Sequence, residues 1–182
     1  MHRRDALHTL ALLAGVPALG GRTAADLLAG PRRQVGRLLA LDPTQNATVI
    51  ALAERIIPAT DTPGATAARV NEFIDVLLAD WFTDDERGEF LTGLADVDTR
   101  ARAAFVKSFA QGTAAEQDGV VAALDDEVMA LRGGRGAARH FFARFKALTL
   151  YGYYNFEVGM TQELRYEIIP NRYAPCAPVG PA

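Results

Sequence analysis

The chain has 182 residues, 49% of them hydrophobic, and a formal net charge of −3. That length points to one main domain with a core large enough to need no staples. Mild acidity argues against a clustered basic face for nucleic acid, and the lone Cys176 excludes an internal disulfide framework.

Arg3 and Arg4 stand directly before an apolar stretch, Leu7 to Leu19, that ends in Gly20 and Gly21. A charged head, a short greasy middle and a small-residue exit are the layout of a twin-arginine export signal over residues 1–20. The stretch is shorter than the roughly 20 apolar residues a bilayer span takes, and His8 and Thr9 interrupt it. Ala18 and Gly20 permit cleavage after Gly20; loss of Arg3, Arg4 and Asp5 takes the net charge from −3 to −4. An ordinary amphipathic N-terminal helix and an uncleaved membrane tether are the other readings. The twin-arginine route carries folded proteins, most of them holding a cofactor. Residues 21–41, with Arg22, Pro31, Arg32, Arg33 and Arg37 among short apolar pairs, read as a linker or arm.

The helical domain is expected over residues 42–168. Asp42 caps the first helix, with Pro43 at the position where a missing N–H costs nothing. Val49, Leu52, Ile56 and Ile57 give it one apolar face, and Pro58 ends it. Residues Ala59 to Ala65, with Pro63 and Gly64, form a turn. Val70, Phe73, Ile74, Leu77, Leu78, Trp81 and Phe82 recur at spacings of three and four and predict a helix with a broad inward stripe. Thr83 with Glu86, and Thr113 with Glu116, are capping boxes that open two further helices. The first carries Phe90, Leu91, Leu94 and Val97 inward and continues as a second piece through Phe105 and Phe109. The second carries Val120, Val121, Leu124, Val128 and Leu131. Gly133, Gly134 and Gly136 break the chain before a last long helix from about Ala137 through Phe141, Phe142, Phe145 and Leu148. No run alternates, so the fold expected is all-α: a single bundle of five or six helices. Residues 169–182 hold four prolines and are expected to be an extended tail.

Candidate chemistry is sparse. His2, His8 and His140 have no glutamate three residues before them, as a di-iron bundle needs, and one cysteine cannot hold an iron–sulfur cluster. A haem-attachment motif is missing. Gly133 to Gly136 follows a helix rather than a strand, so it is a connection and not a dinucleotide loop. Ser108 is the sole serine and lacks a nucleophile's context. Asp84, Asp85 and Glu86 suit a helix N-terminus, and Asp125, Asp126 and Glu127 suit a solvated face. No catalytic, cofactor-binding or metal residue is assigned.

All five tyrosines fall between Tyr151 and Tyr173. Tyr151, Tyr154 and Val158 can share one helical face, with Tyr153 and Glu157 on the next. Tyrosine combines large contact area with a polar tip and is favoured at protein interfaces. The rings either plug the bundle's end and cover the tail or meet a partner, and both readings stand. The candidate partner-binding residues are Tyr151, Tyr153, Tyr154, Phe156, Glu157, Tyr166, Tyr173 and Cys176. Cys176 is either an idle thiol or half of a disulfide to another chain.

These residues resemble the gluconate 2-dehydrogenase subunit 3 family. The resemblance rests on the twin-arginine start, on Ala53-Glu54-Arg55-Ile56-Ile57-Pro58 followed by Thr60 to Ala65, on Val70 to Phe73 with Ile74-Asp75, and on Phe141-Phe142 with Leu148-Thr149. It continues through Gly152-Tyr153-Tyr154 with Glu157 and Gly159, and through Pro170 to Tyr173, covering about residues 45–176. Asn155-Phe156 departs from it, where many relatives carry Thr-Ser. The resemblance implies a small subunit without a redox centre, partnered by an FAD-dependent flavoprotein of the glucose–methanol–choline type. A c-type cytochrome with haem c is implied as a further subunit. The small subunit would aid maturation of the flavoprotein and carry it through the twin-arginine translocase to the periplasm, where the complex is membrane-associated. The family also accompanies glucoside 3-dehydrogenases, so it fixes no sugar. The alternative is an exported helical module that binds or senses a ligand on its own.

Overall fold

Three helices among the described residues start on the same device. The residue before the helix offers a side-chain oxygen to the third amide, and the third side chain reaches back to the first. The computed structural model describes residues 37–131 and 136–166. The helices below belong to one compact unit that begins at Leu38.

Helix α1 (Pro43–Ile56) opens on Asp42, whose Oδ1 accepts from Gln45 N at 2.8 Å while Gln45 Oε1 accepts from Asp42 N at 2.9 Å. Helix α2 (Val70–Asp80) follows the turn and starts after Arg69, which has φ 54° and pairs with Glu72. Helices α3 (Asp84–Phe105) and α4 (Ala114–Ala130) open on the Thr83–Glu86 and Thr113–Glu116 boxes as expected. Helix α5 (Phe141–Asn155) is capped by His140, whose Nδ1 accepts from Phe142 N at 3.2 Å. Short 3-10 turns occupy Phe109–Gln111 and Ala137–Arg139, and a π turn occupies Gly159–Glu163. No strand occurs among the described residues, so the fold is the expected all-α bundle.

The helices close on one core. Val49 and Leu52 of α1, Ile74 and Leu78 of α2, Leu94 and Val97 of α3, Leu124 of α4 and Phe142, Phe145 and Tyr153 of α5 are fully buried within it. At one end Phe82, Phe90, Phe141 and Phe145 form an edge-to-face and stacked cluster with centroids 5.2–6.1 Å apart. Such rings bury large area and gain about 0.5–1.5 kcal/mol per pair beyond it. Polar ties cross between helices: Asp98 Oδ1 accepts from Phe109 N at 2.9 Å, and Gln117 Nε2 donates to Phe109 O at 2.9 Å.

Several expectations change. Helix α3 runs unbroken to Phe105, because Phe90, Leu94, Val97 and Ala101 keep one buried face along it; Phe109 enters the core from its own 3-10 turn. Helix α5 starts at Phe141 and not near Ala137, since Ala137–Arg139 winds more tightly and His140 takes the cap. Glu127 and Asp125 do not simply face solvent. Glu127 pairs with Arg100 of α3 and with His140, and Asp125 accepts from Lys146 Nζ at 2.6 Å. Arg100 holds the Glu127 carboxyl below its ordinary range. Trp81 leaves the inward stripe: it stands past the last residue of α2 and is 77% exposed. Gly133 and Gly134 of the expected break lie outside the described residues.

Candidate partner-binding surface

Helices α2 and α5 pack antiparallel. Phe73, near the start of α2, lies 5.8 Å from the ring of Tyr151 near the end of α5; at the other end the guanidinium of Arg144 sits 5.2 Å over Phe82. The approach is close because Gly152 faces α2: a Cβ there would lie 2.8 Å from Phe73 Cδ1. Phe156 meets the other side of Phe73 edge-on, at 5.9 Å. Phe73 therefore joins Tyr151 and Phe156 into one aromatic surface, with Tyr151 62% and Phe156 37% exposed. Aromatic residues left on a surface in contact with one another mark a protein-contact candidate far better than scattered ones do.

The next ring along goes inward. Tyr153 is fully buried, its hydroxyl donates to the Pro63 carbonyl at 2.8 Å, and burial raises its pKa. Its expected place among partner-binding residues is corrected: at this position of α5 the side chain points under the 59–66 turn and is part of the core. Tyr154 packs edge-on against Tyr153 at 5.1 Å and donates to Glu163 Oε1 at 2.6 Å, and that bond raises its pKa. It is half-buried and holds the π turn to α5. The helix ends at Asn155, so the shared faces expected for Tyr154 with Val158 and for Tyr153 with Glu157 do not form. Gly159 permits the ending, since a Cβ there would lie 2.3 Å from Tyr153 O.

The turn that receives Tyr153 is organised from α1. Glu54 Oε1 accepts from Ala59 N at 3.0 Å, and Oε2 accepts from Thr66 N at 2.9 Å and Thr66 Oγ1 at 2.6 Å. Partial burial pushes the Glu54 carboxyl up, but the Thr66 and Ala59 bonds and the Arg55 charge outweigh it and hold its pKa below the ordinary value. Gly64 lies against this carboxylate, and a Cβ there would lie 2.4 Å from Glu54 Oε1. The separate sequence pieces Glu54-to-Pro58, Thr60-to-Ala65 and Gly152-to-Gly159 thus become one contiguous structure.

Tyr166 is 55% exposed beside Leu164, also 55% exposed, and Glu157 is exposed. Tyr173, Cys176, Arg3 and Arg4 lie outside the described residues. Two features escaped the sequence reading. Asp75 is buried on α2 and accepts from the amides of Leu39, Ala40 and Leu41 at 2.7–2.9 Å, so residues given to the arm are held to the domain. Its signal is faint, a lone acid inside the apolar stripe Phe73-Ile74-Asp75-Val76-Leu77. Trp81 is the other.

An open groove of about 440 Å³ lies between α3 and α4, its apolar lining made of small residues with Phe105 and Val120. Its two charged side chains are already engaged: Arg100 by Asp96 and Glu127, and Glu116 by Thr113. No group of three metal-ligating side chains occurs among the described residues. No helix among the described residues is long and apolar enough to cross a membrane.

The family model for gluconate 2-dehydrogenase subunit 3 matches residues 43–170. The chain belongs to this family. The match runs from the first residue of α1 past the π turn, so it takes in Glu54, the turn and the aromatic surface together. The family is named for a subunit of a dehydrogenase, which places the chain among accessory subunits of dehydrogenase complexes. Comparison with curated proteins and with solved structures returned no match.

Proposed function

We propose that this protein is the non-catalytic small subunit of a periplasmic, FAD-dependent sugar dehydrogenase complex. It supports maturation and stability of a glucose–methanol–choline type flavoprotein and carries it out through the twin-arginine translocase. FAD resides in that partner, and haem c in a c-type cytochrome that passes electrons to the membrane. The family match over residues 43–170 carries this reading. Two further observations support it. Arg3 and Arg4 before an apolar stretch have the form of an export address. Tyr151 and Phe156, joined through Phe73, offer a rigid contact area at low entropy cost.

The test is co-expression with a tagged flavoprotein encoded beside this chain, followed by fractionation. With the wild-type chain the flavoprotein is recovered in the periplasm. With Arg3→Lys and Arg4→Lys together it stays in the cytoplasm. Unchanged export with that variant sinks the carrier role, and an exported, active flavoprotein in the absence of the chain sinks the maturation role as well.

A further inference from the structure

We infer that Trp81 anchors this chain on its flavoprotein partner, seated in an apolar pocket rimmed by arginine or lysine. The inference rests on the small-subunit reading above and adds a place and a chemistry to it. Trp81 is the sole tryptophan of the chain and is 77% exposed. It follows Phe73 and Leu77 at spacings of four and stands one residue past the end of α2. Phe73 is the residue that joins Tyr151 and Phe156. The aromatic surface thus stands by the start of α2, and Trp81 just past its end. Eight residues of helix put their Cα atoms about 12 Å apart, well within a single interface.

Charge selects the partner. Residues 82–89 contain Asp84, Asp85, Glu86 and Glu89 against one cation, Arg87. Arg87 pairs with Asp84, and Arg144 reaches Glu89 at 3.2 Å while covering Phe82. The surface around Trp81 thus stays net negative. A second copy of this chain would bring the same acids against it and be repelled, whereas a basic rim would be attracted and would stack well on an indole. Folding leaves the indole in water, where it contributes little to the fold. Tryptophan is among the residues enriched at the energetic centres of protein contacts.

The experiment uses the full chain labelled with 5-fluorotryptophan, which gives one fluorine resonance, and the tagged flavoprotein. Binding of the wild-type chain should shift that resonance. Trp81→Ala should weaken co-purification by roughly tenfold to thirtyfold, the loss typical of an interface anchor, while leaving the melting temperature of the free chain within a degree or two. Asp84→Asn with Asp85→Asn should weaken binding and flatten its salt dependence. Trp81→Ala that binds like wild type, with the wild-type complex intact, overturns the inference alone. So does self-association of the free chain that Trp81→Ala abolishes. A wild-type chain that never co-purifies with the flavoprotein overturns the small-subunit reading and this inference with it.

Discussion

The hydroxyl of Tyr153 donates a 2.8 Å hydrogen bond to the carbonyl of Pro63, ninety residues earlier in the chain. This bond pins the 59–66 turn onto α5, and Glu54 holds the same turn from α1. Tyr153→Phe keeps the buried ring and deletes the bond. It should cost about 1 kcal/mol in urea unfolding with the slope unchanged. Amide exchange should quicken over residues 59–66 and not in α3. Uniform quickening would mean that the hydroxyl does not act on the turn.

Asp75 should matter more. Its carboxylate is buried and accepts three backbone amides, bonds to a charged acceptor that are individually stronger than neutral ones. Asp75→Ala leaves those amides unsatisfied, and a loss of about 3 kcal/mol is expected. Asp75→Asn should recover a minor part of it, because its single carbonyl oxygen cannot serve three donors. Chemical denaturation measures the loss. Protection of the Leu39 to Leu41 amides should vanish in Asp75→Ala and persist in Tyr153→Phe.

Glu54 gives the fold a specific acid response. Its pKa is lowered from 4.5 in the folded chain, so its contribution is complete above that value and is lost as pH falls through the folded value. Glu54→Gln cannot titrate. The stability gap between wild type and Glu54→Gln should be constant at neutral pH and shrink steadily below about pH 4.5. A gap that persists unchanged at pH 3 would assign the acid response to other carboxylates.

Glycines divide by what a methyl group would meet. Gly159→Ala sets a Cβ 2.3 Å from Tyr153 O, and Gly93→Ala sets one 2.2 Å from Phe141 Cγ. Each should destabilise by about 1–3 kcal/mol through overpacking. Gly88→Ala in α3 and Gly119→Ala in α4 meet nothing within 4 Å and should stabilise by about 0.5–1 kcal/mol through helix propensity. Thermal melts of the four single variants give the signs, and equal signs would refute the packing described here.

The reach of the sequence can be judged residue by residue. Helix starts were legible because Asp42, Thr83 and Thr113 cap locally, within three residues of their partners. The all-α class followed from periodicity. Long-range polar contacts were not legible, since nothing local distinguishes Asp75, which reaches back 34–36 residues, from a solvated acid. The tyrosine cluster was visible, yet its sorting was not. Tyr151 is exposed and Tyr153 buried only because α5 turns about 200° between them, and its register depends on where His140 starts the helix. Trp81 was misplaced because the apolar spacing runs on past Asp80, where α2 ends.

Asp75 also settles which part of the bundle would feel a pull on the chain ahead of Leu39. Tension there would not peel α1 from its first residue. It would first load the three amides held by the two oxygens of one carboxylate seated in α2. A pull on the chain ahead of Leu39 would thus reach α2 in the interior before it reached α1. Asp75→Ala would leave α1 to unravel turn by turn under the same load.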